Sequence, residues 1–136
     1  MRAAQGWRSS GAREVDYGGI LIPNSIPASP AWYGGANQAM VPVFVVGYPV
    51  DGSVTNGTLW YGQGSLKPEE NPTRDDDQWY YEISTRSGQS GGPVFYYDAG
   101  SKLAYAIGIH NYGDSPYNFG TRLTTQVLQE LASWIP

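Results

Sequence analysis

Glycine and proline punctuate this chain, with 18 and ten copies in 136 residues. Glycine opens conformations closed to other residues and proline removes a backbone donor, so long uninterrupted helices are disfavoured and tight turns favoured. Between the turns lie 11 Tyr, five Trp and three Phe, side chains suited to a pleated, half-buried surface. We therefore expect an all-β fold, an antiparallel β-barrel with one core, in a chain of ordinary domain length.

Charge and ligand chemistry narrow the function. A net charge of -4 with only eight Lys and Arg makes nucleic acid an unexpected partner. The absence of cysteine excludes disulfides and thiolate metal sites, and a single histidine leaves few ligands for zinc, so neither a metal nor any other cofactor is expected. No apolar run approaches the roughly twenty residues that cross a membrane as a helix, and no membrane partner is expected. The first residues also lack the apolar centre of a secretion signal.

Apolar alternation marks strands at "VPVFVVGYP" from Val41, "TLWYGQGSL" from Thr58 and "QWYYEIS" from Gln78. "GPVFYYD" and "LAYAIGIH" follow, and the intervening "AGSK" reads as a hairpin turn. The polar, acidic "KPEENPTRDDD" reads as a solvated loop. Only the C-terminus looks helical: Val127, Leu128, Leu131, Trp134 and Ile135 form one apolar stripe, with Thr124 or Thr125 as the cap. A short helix is marginal without packing, so this one is expected to dock on the barrel.

The chemistry concentrates in "RSGQSGGPVF", residues 86–95. A serine hydroxyl becomes a useful nucleophile when a base takes its proton and N–H groups stabilise the resulting oxyanion. Ser90 is the candidate nucleophile, and a turn at Gly88 can bring the backbone amides of Gly88 and Ser90 together as an oxyanion hole. The stretch also satisfies G-x-S-x-G, the nucleophile elbow of α/β-hydrolases, but that elbow requires a following helix. Here Gly91, Gly92, Pro93 and "VFYY" follow, which suit a strand.

At the level of consecutive residues, "GQSGGP" resembles the G-[DNQ]-S-G-[GS]-P nucleophile loop of chymotrypsin-like (trypsin-like) serine peptidases. "AIGIHNYG" is similar to the strand that builds the substrate pocket in that superfamily, and "NFGTRLTTQVLQELASWI" to its last strand and helix. "YYEISTRSGQSGGPVF", "GYP" and "GIH" resemble the glutamyl endopeptidases most closely, and "VDYGGILIP" resembles the segment carrying their triad aspartate. The resemblance implies a two-barrel fold of which this chain holds the second barrel, and cleavage of peptides after Glu through an acyl-enzyme. It also implies Asp16 as the triad aspartate, Thr85 and His110 as ligands of the substrate's carboxylate, and secretion. A histidine and a hydroxyl can both hydrogen-bond a carboxylate, and an imidazole between neutral and cationic would favour an anion.

The resemblance leaves one role unfilled. In the superfamily the general-base histidine precedes the aspartate, whereas nothing upstream of Asp16 is a histidine. His110 is expected in the pocket, with a base role and a purely structural role as the alternatives. On this reading residues 1–40 are the remnant of the first barrel and the inter-barrel connection, and residues 41–136 are the C-terminal barrel. The chain alone is then expected to be inactive, to expose an apolar face, and to self-associate or pair with a first barrel. The expected substrate is a peptide or protein with an acidic side chain. A non-catalytic peptide-binding or structural module is the alternative from another class.

Overall fold

In the computed structural model, the structure describes residues 1–20, 32–33, 42–52, 54–67, 77–113 and 116–135. The barrel is built from β4 (Pro42–Gly47), β5 (Trp60–Lys67), β6 (Gln78–Tyr81), β7 (Pro93–Asp98), β8 (Leu103–Gly113) and β9 (Asn118–Arg122). Neighbouring strands run β8-β7-β4-β5-β6-β9, and β9 pairs back onto β8, which closes the sheet. All six of these pairings are antiparallel. The expected antiparallel barrel with a C-terminal helix is the fold observed.

The core follows from side-chain alternation. On β4, Val43 and Val45 point inward and are fully buried, while Phe44 between them stacks on Phe95 of β7. Leu66, Tyr81, Ile83, Val94 and Ile107 complete the barrel interior. Each aliphatic side chain so buried contributes roughly 1.5–3 kcal/mol. The hairpin at 99–102 is as expected: Asp98 accepts from the N–H groups of Gly100 and Ser101 at 3.1 and 3.0 Å. The Ser101 side chain, together with those two N–H bonds, stabilises the carboxylate and holds its pKa below the ordinary value.

The C-terminal helix, Thr125–Ser133, is capped by Thr124, whose hydroxyl accepts from Val127 N at 3.3 Å. Val127, Leu128, Leu131 and Trp134 pack with Leu123, with Ala106 and Ile109 of β8, and with Ala4, Val15 and Tyr17. The stripe is thus docked on the barrel and on the N-terminal segment together. Ile135 departs from the expectation: it lies past the end of the helix and is 66% exposed.

A second helix was not legible in the sequence. Gln5–Ser10 forms α1, which makes the C-terminal helix α2, and a 3-10 turn spans Arg13–Val15. None of the α1 residues is buried, so no apolar stripe announces it. It is held instead by local bonds, including Ser9 and Ser10 hydroxyls donating to Gly6 O. The flanking β1 (Arg2–Ala3) and β2 (Gly18–Gly19) pair antiparallel, and β3 (Trp32–Tyr33) runs parallel to β8. The acidic stretch expected as a solvated loop lies, from 68 to 76, outside the described residues.

Candidate functional site

Ser90 is exposed at the tip of the loop between β6 and β7. Glycine is required here for two reasons. Gly88 has φ 95°, a left-handed conformation costly for other residues. Gly92 lies so close to β4 that an added Cβ would sit 2.1 Å from Val46 O. The loop is fixed from below by Gln89, which is 1% exposed. Its amide oxygen accepts from Arg86 N at 2.7 Å and its amide nitrogen donates to Trp60 O at 3.5 Å. Arg86 in turn pairs with Asp51 at 3.3 Å and lies over the Trp60 ring.

Backbone donors in the loop divide into two sets. Gln89 N donates to Arg86 O, Gly91 N to His110 O and Gly92 N to Gln89 O. The N–H groups of Gly88 and Ser90 find no acceptor among the described residues. Those are the two amides expected to serve an oxyanion.

A bulge in β8 brings the remaining groups together. The β8–β9 register shifts between His110 and Tyr112, which takes Asn111 out of the regular ladder. Asn111 then makes three contacts in three directions. Its backbone oxygen accepts from Ser90 Oγ at 3.1 Å, its Nδ2 donates to Asp16 O at 2.6 Å, and its Oδ1 accepts from Thr121 N at 3.0 Å. Ser90 and Asp16, 74 positions apart in sequence, therefore converge on one asparagine. The Asp16 carboxylate accepts from Tyr112 Oη at 2.9 Å, and Arg13 lies over the Tyr112 ring. Neither Asn111 nor Tyr112 was singled out from sequence, because a bulge leaves no signal in an alternating pattern.

His110 goes elsewhere. It is 3% exposed, and its Nδ1 lies 2.7 Å from the hydroxyl of Tyr81, which is itself fully buried. Burial lowers the His110 pKa to about 4, so the imidazole is neutral at pH 7. The cationic end of the expected range is thereby removed. Its backbone still frames the serine loop, through His110 N donating to Gly92 O at 2.8 Å and His110 O accepting from Gly91 N at 2.7 Å. Thr85 is half-buried near the end of the same strand: a Cβ on Gly113 would stand 4.0 Å from its hydroxyl oxygen.

On the other side of the loop, a cleft of about 310 Å³ runs along Val46, Tyr48, Leu59, Ser90 and Pro93. Of its lining, Tyr48 and Leu59 are more than half exposed. Apolar surface is thus open to solvent beside the candidate nucleophile.

No family model matches the chain. Two curated relatives do. An extracellular metalloprotease of Bacillus subtilis is 33% identical over 97% of this chain and 41% of the relative. A glutamyl endopeptidase of Bacillus licheniformis is 32% identical over 95% of this chain and 42% of the relative. The chain spans about two fifths of the length of each. The names of the two relatives differ on the type of chemistry. Among the described residues no group of three His, Asp or Glu side chains is placed to hold a metal ion. Along nearly its whole length, then, the chain is homologous to bacterial proteases, and its closed barrel fits such an origin.

Proposed function

We propose that the chain is the second barrel of a chymotrypsin-like serine endopeptidase that cleaves after acidic residues, Glu above all, and that its parent protein is secreted. The observation that carries this reading is the convergence of Ser90 and Asp16 on Asn111 at one rim of the barrel. In the complete site, an imidazole from a first barrel stands between Asp16 and Ser90. Asp16 orients that imidazole and stabilises its charged form, Ser90 Oγ attacks the scissile carbonyl, and the free amides of Gly88 and Ser90 receive the oxyanion. Thr85 and His110 receive the substrate's acidic side chain. Residues 1–40 form the connection from the first barrel, and the exposed apolar surface beside Ser90 is available to that barrel, to a second copy, or to substrate.

The chain by itself is better described as a module that holds the nucleophile and pocket without the base. Its serine proton is directed at a backbone carbonyl, Asn111 O, rather than at an imidazole. That geometry favours the non-catalytic alternative for the isolated chain. The two readings separate when a histidine-bearing first barrel of a glutamyl endopeptidase is supplied, covalently or in trans. Hydrolysis of a Glu-containing peptide that Ser90→Ala abolishes supports the peptidase. No hydrolysis from a correctly folded two-barrel protein leaves the binding module.

A further inference from the structure

Tyr81 and His110 form a buried pair whose chemistry is not symmetric. Tyr81 Oη stands 2.7 Å from His110 Nδ1 and the two rings tilt against each other at 5.9 Å. Tyr81 is fully enclosed, and among the described residues this imidazole nitrogen is the one acceptor its hydroxyl has. A phenol buried without an acceptor would leave an unpaired donor, an arrangement folded proteins avoid. The hydroxyl proton therefore points at Nδ1, and Nδ1 must offer its lone pair. A neutral imidazole has one protonated nitrogen, so that proton sits on Nε2.

From this geometry we infer that Tyr81 is a specificity-determining positioning residue: it locks His110 in the Nε2–H tautomer and makes it a donor-only group. The inference rests on the reading of His110 as a pocket residue given above, and it supplies the basis of that pocket's choice. A carboxylate is acceptor-only and matches a donor-only imidazole. A carboxamide carries an NH2 group that needs an acceptor, and no imidazole lone pair is left to provide one. The acid is then recognised by a directed N–H from a neutral ring, with the Thr85 hydroxyl as the second donor. The amide is disfavoured because His110 offers its NH2 group no acceptor and, of the two, only the Thr85 hydroxyl oxygen is left to take it. Burial supports the same state, since it disfavours the imidazolium and the phenolate alike.

The experiment uses the whole 15N-labelled chain, in which His110 is the single histidine, so every imidazole signal belongs to it. Long-range 1H–15N correlation at pH 7 reads the tautomer directly. The expected result is Nε2–H favoured at least about tenfold in the wild type and a mixture of tautomers in Tyr81→Phe, which removes only the hydroxyl. An Nδ1–H tautomer in the wild type, or the same ratio in both proteins, overturns the lock. Should Tyr81→Phe fail to fold, the wild-type tautomer alone decides. N-acetyl-glutamate methylamide and its glutamine counterpart are then added at equal concentration. A shift of the Nε2–H signal with the glutamate probe only, lost or equalised in Tyr81→Phe, supports donor-only selection, and equal shifts with both in the wild type overturn it. If the tautomer is locked but neither probe moves the signal, the lock stands and the acidic-pocket reading of His110 falls.

Discussion

The Ser90 hydroxyl donates to the backbone oxygen of Asn111 at 3.1 Å, and the same asparagine holds the Asp16 backbone oxygen at 2.6 Å with its side chain. One residue thereby ties the serine loop and the N-terminal segment to β8. Its third contact, from Thr121 N at 3.0 Å, replaces the ladder bond that the bulge removes.

Asn111→Ala is therefore expected to weaken the fold as well as the site. It leaves the N–H of fully buried Thr121 without its acceptor, and leaves the carbonyl of Asp16 only the longer bond from Thr121 Oγ1 at 3.4 Å. Unsatisfied groups of this kind cost about 1–3 kcal/mol. The check is the urea midpoint of the variant against the wild type. An unchanged midpoint would show that these contacts do not hold the segment in solution.

The single histidine gives stability a definite pH slope. Burial lowers the pKa of His110 to about 4 in the folded state, whereas an unfolded histidine titrates near 6.5. Below about pH 6.5 the unfolded chain binds a proton that the folded chain does not, so stability falls as pH falls toward 4 and is unaffected above 6.5. The total loss from this group is on the order of 3 kcal/mol. Urea unfolding between pH 7 and 5, above the range where most carboxylates titrate, should show the decline, and His110→Phe should flatten it. A wild-type profile as flat as the variant's would place His110 in contact with solvent.

Much of the fold could be read from the residues. Five of the six barrel strands fall where apolar residues alternate or cluster between turn residues, and the stripe from Val127 to Trp134 does lie against the barrel. The sixth strand, β9, is marked only by the resemblance of its residues to a known last strand. Local pattern is silent about contacts made between distant strands. Tyr81 and His110 are 29 residues apart and meet because β9 pairs with both β6 and β8. Gln89 reads from sequence as one more polar loop residue, yet it is the buried strut under the serine. Helix α1 has no buried face, so no periodicity could reveal it.

Close approach of the serine loop to β4 sets a limit on substitution. Gly92→Ala would place a Cβ 2.1 Å from Val46 O and 2.9 Å from Gln89 O, both backbone atoms that cannot swing aside. The expected cost is about 2 kcal/mol or more, through displacement of the loop from β4. Thermal unfolding measures the loss. Hydrogen exchange at Gly91 N, which donates to His110 O, should quicken if the loop has moved. A variant as stable as the wild type would mean that the loop stands farther from β4 in solution.

The last prediction tests the proposed reading's requirement for a base other than His110. Ser90 is exposed, its hydroxyl is bonded to a carbonyl that cannot accept a proton, and the amides of Gly88 and itself are free among the described residues. Such a serine should react slowly with a small fluorophosphonate, because nothing removes its proton as the new bond forms. On the proposed reading, free imidazole in solution can take the place of the missing base next to Asp16 and Ser90. Positioned bases give about 10²–10⁴-fold, and an unpositioned one should give less, so an acceleration of about tenfold is expected. The rate should follow the neutral fraction of the added imidazole, disappear with Ser90→Ala, and fall with Asp16→Asn, which removes the charge that would stabilise the imidazolium. His110→Phe should leave the acceleration in place, since His110 is committed to Tyr81. If His110→Phe instead removes the basal reaction and added imidazole restores it, then His110 is the base.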